Sequence, residues 1–285
     1  MEVFLDCLPC VLRQVLEASR MATGKNEQHA QIMEEALKIL ANYKDYQNSP
    51  DIVKDMHQVV KRLTGVSDPY KAVKERDIKA AQKAYPLLRR FVRDKQNSLY
   101  WVLKMAATGN IMDSAIYDNL NFVDSLQNEL TKEFSICDLD MLQKTLSSAT
   151  NILIIGDNAG ETVFDRVLIE HLAGYAITYA VREEPVINDA TLQDAYASGL
   201  GECAVIMTTG CLAPGAIMDQ CSADFLRVFN KADIVISKGQ GNYETLSECH
   251  RSIFFLLKAK CAVIADRLGV ELNSYVCQYH SMQMV

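Results

Sequence analysis

The residues best suited to chemistry follow short apolar runs in the second half of the chain. After Ile152-Leu153-Ile154-Ile155 comes Gly156-Asp157-Asn158-Ala159-Gly160-Glu161, with a helix expected from about Thr162. A glycine at each end permits a tight turn, and Asp157 and Asn158 place a carboxylate beside an amide oxygen, both of them donors that hard cations prefer. The competing reading is a plain strand-to-helix turn in which Asp157 caps the helix. After Tyr175 to Val181 the chain reads Arg182-Glu183-Glu184-Pro185-Val186-Ile187-Asn188-Asp189-Ala190-Thr191, so Asp189 supplies a second carboxylate at an equivalent position. Two oxygen donors from one loop and one from the next would form an open, partly hydrated site for Mg²⁺ or Mn²⁺. Capping of the next helix by Asn188-Asp189 is the alternative there.

A third loop, Ser237-Lys238-Gly239-Gln240-Gly241-Asn242-Tyr243-Glu244, follows Ile234 to Ile236. Glycines on both sides of Gln240 let backbone N–H groups face an anion, and Lys238 adds a positive charge, which is how a phosphate is usually held. Lys258 follows Phe254-Phe255-Leu256-Leu257 and could reach the same edge, or lie solvated on the surface. Gly109-Asn110-Ile111-Met112-Asp113 is a polar, glycine-containing break among helices that could project toward that edge or simply end a helix. Cys7-Leu8-Pro9-Cys10 has the spacing of a dithiol, but no second CxxC and no flanking βαβ unit accompany it, which favours packing or a minor metal role. Five scattered histidines without HxxxH spacing argue against a histidine-rich zinc site, and no GxSxG elbow supports a serine hydrolase.

The elements that must position these loops divide the chain near Ala149. Residues 1–150 carry 20 basic and 20 acidic side chains and three glycines; residues 151–285 carry 9 basic, 16 acidic and ten glycines, and so hold the whole net charge of −7. The first regime reads as consecutive helices: Leu12, Val15 and Leu16 follow Pro9, and Ile32, Ala36 and Ile39-Leu40 recur at helical spacing. Asn48-Ser49-Pro50-Asp51 and Ser67-Asp68-Pro69 punctuate them, Pro86 predicts a kink or break, and no strand pattern competes. In the second regime Ile152–Ile155, Tyr175–Val181, Cys203–Met207, Ile234–Ile236 and Ile253–Leu257 are apolar throughout and separated by helices, as buried parallel strands are. The fold expected is α/β, with a helical domain at 1–149 and a parallel-sheet domain at 150–285. Ligands then bind beyond the carboxyl ends of the strands, where the three loops lie.

Composition excludes other classes. With a pI of about 5.3 the chain would repel a phosphate backbone, so nucleic acid is not an expected partner. Its longest uncharged run, Cys203 to Met218, is 16 residues and contains Pro214-Gly215, too short and too interrupted to span a membrane. The start, Met1-Glu2-Val3-Phe4-Leu5-Asp6, lacks the basic and apolar regions of an export signal, and nine cysteines, an odd number and most of them in apolar segments, suit reduced thiols; a cytoplasmic location is expected.

Taken in order, Cys7-x-x-Cys10, Gly109-Asn110-x-x-Asp113, Gly156 to Glu161, Asn188-Asp189-Ala190-Thr191 and Lys238 to Glu244 resemble the damage-control, metal-dependent phosphatase family, which is also linked to an acidic-residue methyltransferase. The CxxC resembles that of its prokaryotic and archaeal branch. The resemblance implies a helical domain packed on a Rossmann-like α/β domain and hydrolysis of phosphate monoesters of small metabolites. It also implies one divalent cation (magnesium, manganese, cobalt or nickel) held by Asp157, Asn158 and Asp189. Carried over by motif, Lys238 and the loop Gly239, Gln240, Gly241, Asn242 and Glu244 would contact substrate, Lys258 would contact phosphate, and Asn110 and Asp113 would face the cleft. Lys258 lacks the Arg-Thr pair that precedes this lysine in the eukaryotic branch. Asp157, Asn158, Glu161 and Lys238 would form the catalytic group, with Glu161 or Asp113 available as a base. Two alternatives compete: an S-adenosylmethionine-dependent carboxyl methyltransferase, for which Leu153 to Glu161 lacks a full glycine fingerprint, and a non-catalytic metal or metabolite binder.

Overall fold

In the second half, the apolar runs become strands of a seven-stranded sheet. A computed structural model describes residues 1–109 and 122–281, so Asn110 and Asp113 lie outside the described residues. The strands are β1 (Phe134–Cys137), β2 (Asn151–Ile155), β3 (Ala176–Val181), β4 (Val205–Thr208), β5 (Ile234–Lys238), β6 (Ile253–Lys258) and β7 (Tyr275–His280). Their order is β1-β7-β6-β5-β2-β3-β4. Strands β2 to β6 run parallel, β7 is antiparallel to β6, and β1 runs parallel to β7. Because successive side chains of a strand point to opposite faces, Ile152 and Ile154 of β2 enter one core while Leu153 and Ile155 enter the other. Both faces are covered, as the continuous apolar runs required.

Twelve α-helices occur among the described residues. The first three, α1 (Cys7–Ala22), α2 (Asn26–Ala41) and α3 (Ser49–Thr64), pack as a bundle around Val11, Val15, Ile32, Ala36, Ile52 and Met56. Asn48 caps α3, accepting from the Asp51 N–H at 3.1 Å. The next two, α4 (Lys71–Arg93) and α5 (Ser98–Thr108), join the sheet core; α6 (Phe122–Thr131) and α7 (Leu139–Leu146) follow. The second half adds α8 (Thr162–His171), α9 (Leu192–Ala197), α10 (Ala223–Lys231), α11 (Gln240–Leu246) and α12 (Ala262–Leu268), giving a Rossmann-like arrangement.

Three expectations are corrected. Of the kink or break expected at Pro86, the break does not occur: α4 is continuous, with Ile78 and Ala81 buried before the proline and Leu88 and Val92 after it. Packing on both sides outweighs the ~3 kcal/mol that an internal proline costs. A strand, β1, does occur within the stretch read as all helical, and β7 follows the run read as the last. β1 is the edge strand and β7 lies next to it, and both have polar positions, Ser135 in one and Gln278 and His280 in the other, which interrupt the apolar signal.

The sheet's topology fixes where chemistry can occur. From β2 the chain proceeds to β3 and β4 on one side, while β5 and β6 lie on the other. The direction of progression thus reverses between β2 and β5, where a crevice opens beyond the carboxyl ends. The loops carrying Asp157 and Gly239 leave those two strands.

Candidate functional site

Backbone pairing brings the first two loops together. Ala159 N–H donates to the Asn188 carbonyl at 2.9 Å and Ala190 N–H to the Asp157 carbonyl at 2.8 Å, which clamps Asn158 against Asp189. The second loop is also anchored to the helical bundle: Val186 is buried in the bundle core. Its neighbour Ile187 is held at φ 48°, a conformation that costs a β-branched residue of order 1–3 kcal/mol and persists only where the surroundings impose it. The capping alternative for Asp189 fails, because Thr191 and Asp194 form the capping box of α9.

Charge is concentrated beneath this clamp. Asp157, Glu161, Asp165 and Asp189 are all less than a tenth exposed, as are Arg182 and Lys238. Arg182 Nε donates to Asp189 Oδ2 at 2.7 Å, its Nη1 to Asn242 Oδ1 at 3.1 Å, and its Nη2 lies 3.9 Å from Asp157 Oδ1. Lys238 Nζ bridges Glu161 Oε2 at 2.9 Å and Asp165 Oδ1 at 2.7 Å, while the Tyr179 hydroxyl donates to Asp165 Oδ2 at 2.7 Å. Burial, then Asp189 and Glu161, push the Asp157 carboxyl well above its usual range. Asp189 is raised by burial against the opposing pull of Arg182. Lys238 is raised despite burial, because Asp165 and Glu161 flank it.

Four buried carboxylates against two buried cations leave a formal excess of two negative charges once a bound cation holds the raised Asp157 and Asp189 carboxyls ionised. That is the charge of one divalent cation, and the donors fit it: two carboxylates and the amide oxygen of Asn158, whose Nδ2 is committed to Glu161 Oε1 at 3.0 Å. Among the described residues no three His, Cys, Asp or Glu side chains are grouped to hold a metal by themselves, so the asparagine and solvent or substrate oxygens would complete the set.

The third loop supports this cluster from below. Gly239 has φ 79°, and a Cβ there would collide with the Asp157 carboxylate, so only glycine allows this approach. At Gly241 a Cβ would strike the Pro214 carbonyl. Asn242, expected to touch substrate, is fully buried: its Nδ2 donates to the Gly156 and Lys238 carbonyls and its Oδ1 accepts from Arg182 and the Ala216 N–H. It ties the β2 and β5 loops together beneath the crevice. Gln240 faces outward, donating to Cys261 Sγ at 3.3 Å and Glu244 Oε1 at 3.4 Å and accepting from the Lys260 N–H at 3.0 Å.

A cavity of about 730 Å³ opens above the cluster. Asp157, Asn158, Asp189, Gln240, Gly241 and Glu244 line its floor, and Cys7, Cys10, Ser49 and Tyr70 line the wall facing the bundle. Lys238 and Lys258 are engaged elsewhere: Lys258 Nζ pairs with Glu129 at 3.2 Å beside the Tyr275 ring. The sequence reading missed Asp165, Arg182 and Lys260. Asp165 had a local signal, lying one helical turn after Glu161. Arg182 and Lys260 are cations directly after β3 and shortly after β6, in a half otherwise rich in acid.

Burial pushes the Glu244 carboxyl up to about 7, with the Gln240 bond opposing part of the shift. The folded chain keeps this proton where the unfolded chain has lost it, so the stabilisation is complete below about pH 4.5 and is lost as pH rises through about 7. Glu244→Gln removes that loss. Its melting temperature should match the parent near pH 4.5 and exceed it by a widening margin up to pH 8; a constant difference across that range would contradict the assignment.

Comparisons with known proteins place the whole chain in one family. The model of the damage-control phosphatase ARMT1-like domain matches residues 3–276. The chain is 32% identical over 290 residues to damage-control phosphatase PH1575 of Pyrococcus horikoshii, covering all of both chains. It is 31% identical to a damage-control phosphatase of Archaeoglobus fulgidus (95% of this chain, 97% of that one) and 32% identical to the uncharacterized protein MJ0202 of Methanocaldococcus jannaschii (95% and 93%). The crystal structure of PH1575, a DUF89 family protein, superimposes with a TM-score of 0.91 over 99% of this chain and 100% of that one, at 32% identity.

Proposed function

The chain belongs to the ARMT1-like damage-control phosphatase family, and on that premise we propose that it is a divalent-metal-dependent phosphatase hydrolysing phosphate monoesters of small metabolites. The observation that carries the metal dependence is the pair of buried carboxylates, Asp157 and Asp189, set beside the amide oxygen of Asn158 at the floor of the cavity. Asp157, Asn158 and Asp189 would hold the cation. Bound there, it would polarise a phosphoryl oxygen and orient the attacking water.

The chain's own groups supply order and exclusion. Arg182 holds Asp189 in place through Nε and braces Asp157, so both carboxylates stay aimed at one point. Lys238 fixes Glu161, and Glu161 in turn fixes the amide of Asn158. This relay orients a neutral ligand that would otherwise rotate freely. Attack by water on phosphorus breaks the bond to the ester oxygen, which leaves as an alcohol after taking a proton, and inorganic phosphate is released. The cavity wall formed by the bundle would border the leaving group.

The test is a screen of sugar phosphates, nucleotides and cofactor phosphates with Mg²⁺, Mn²⁺, Co²⁺ or Ni²⁺. Phosphate release from at least one class is expected. Inactivity toward every ester with every metal, together with thermal stabilisation by S-adenosylmethionine, would move the assignment to a methyltransferase.

A further inference from the structure

Resting on that phosphatase reading, we propose that Lys260 is the cation that receives the substrate's phosphate, and that the cavity therefore selects esters bearing one phosphate and no second anionic group. The other basic groups near the floor are held by protein partners, save the buried Nη2 of Arg182, which has no hydrogen-bond partner. Lys238 lies between Glu161 and Asp165, Lys258 pairs with Glu129, and Arg182 binds Asp189 and Asn242. None of the three lines the cavity.

Lys260 does line it, beside Asp157, Asn158, Gln240 and Gly241, and among the described residues it is the only lysine or arginine to do so. The segment 110–121 contains neither residue type, so it can add no second one. The side chain of Lys260 is exposed, while its backbone N–H is tied to Gln240 Oε1 at 3.0 Å. Its root is thus fixed at the loop end of β6, and its ammonium can swing over the floor to a dianion. A flexible ammonium is the usual point-charge binder of phosphate.

The rest of the lining sets the selectivity. Asp6, Glu17, Asp77, Asp157, Asp189 and Glu244 all border the cavity, against this one lysine. With the divalent cation's charge already offset by the buried acids, Lys260 is the remaining lining cation for a single phosphate. A second phosphate or a carboxylate on the leaving group would meet the exposed acids of the lining, Asp6 and Glu17, with no further lysine or arginine among the described lining residues, which is the usual physical basis for rejecting a competitor. The leaving group that fits is an uncharged polyol or an amino alcohol, released through its hydroxyl.

The experiment uses the full chain with Mn²⁺ and three matched probes: glucose 6-phosphate, glucose 1,6-bisphosphate and 6-phosphogluconate. The monophosphate should be preferred at least tenfold in kcat/KM over the other two. Lys260→Met should raise KM and the inhibition constant for inorganic phosphate together by roughly tenfold or more, with Lys260→Arg restoring most of both and Lys258→Met changing neither comparably. Its exposure leaves the melting temperature unchanged, which separates binding from folding. Equal use of the three probes, or unchanged phosphate inhibition in Lys260→Met, would overturn the proposal while leaving the phosphatase reading intact. If none of the probes is hydrolysed, calorimetric binding of inorganic phosphate still decides: weaker binding to Lys260→Met supports its role, and equal binding rejects it.

Discussion

Asp157→Asn should lower phosphate-ester hydrolysis by at least about a hundredfold and should also abolish the rise in melting temperature produced by Mn²⁺. The first effect is the scale seen when one group facing developing transition-state charge is removed. The second follows from linkage, since a cation that binds only the folded state stabilises it in proportion to its affinity. Asparagine keeps the shape and the packing against Gly239, and it removes one of the four buried negative charges. The variant should therefore fold at least as well as the parent without metal, because it relieves repulsion from Asp189 and Glu161. Assays of turnover and of Mn²⁺-induced melting shift on the same preparation check both halves. Retained activity with retained metal stabilisation would remove Asp157 from the site.

Lys238→Met should cost about 3–5 kcal/mol of stability, the usual penalty when one partner of a buried ion pair is deleted. Lys238 is the shared partner of Glu161 and Asp165, and all three side chains are essentially inaccessible. At roughly 2–4 °C per kcal/mol for a chain of this size class, the melting temperature should fall by about 10 °C. Activity should fall too, since Glu161 loses the group that orients it toward Asn158. Calorimetric melting at neutral pH is the check, and a shift under about 3 °C would show that the cluster contributes little to the fold. Removing Lys238 and one carboxylate together should recover part of the loss, as expected for directly coupled groups.

The loops proved legible because their signals are local. An apolar run ended by glycine and an acid can be read within ten residues, and the parallel sheet that aligns the loops follows from runs buried on both faces. What was not legible depends on tertiary position. Asn242 sits in the middle of a motif that points to substrate, yet a side chain with two donor hydrogens and an acceptor oxygen can equally tie three backbone segments together, and only the fold shows that it does. Arg182 braces an aspartate seven residues away and an asparagine sixty residues away, a pairing no spacing rule announces. Lys258 and Lys260 are chemically the same in sequence, but one is neutralised by Glu129 from α6 and the other opens onto the cavity. The strands β1 and β7 escaped because polar positions interrupt short segments toward the sheet's border.

Val186 ties the second loop to the helical bundle. The helical bundle does more than cover the crevice, since its core captures the loop that carries Asp189. The acid-rich, glycine-rich character of the second half is likewise resolved into parts: glycines 239 and 241 where backbone and carboxylate must approach closely, and four buried acids that are only half neutralised by the protein.

The most direct test of the central claim is hydrolysis by the unmodified chain before and after removal of divalent metal. Phosphate release from a responsive ester should stop in EDTA and return when Mn²⁺ is added back in excess, with the melting temperature falling and rising in parallel. Hydrolysis that continues undiminished in EDTA, with no change in melting temperature on adding Mn²⁺, would contradict it.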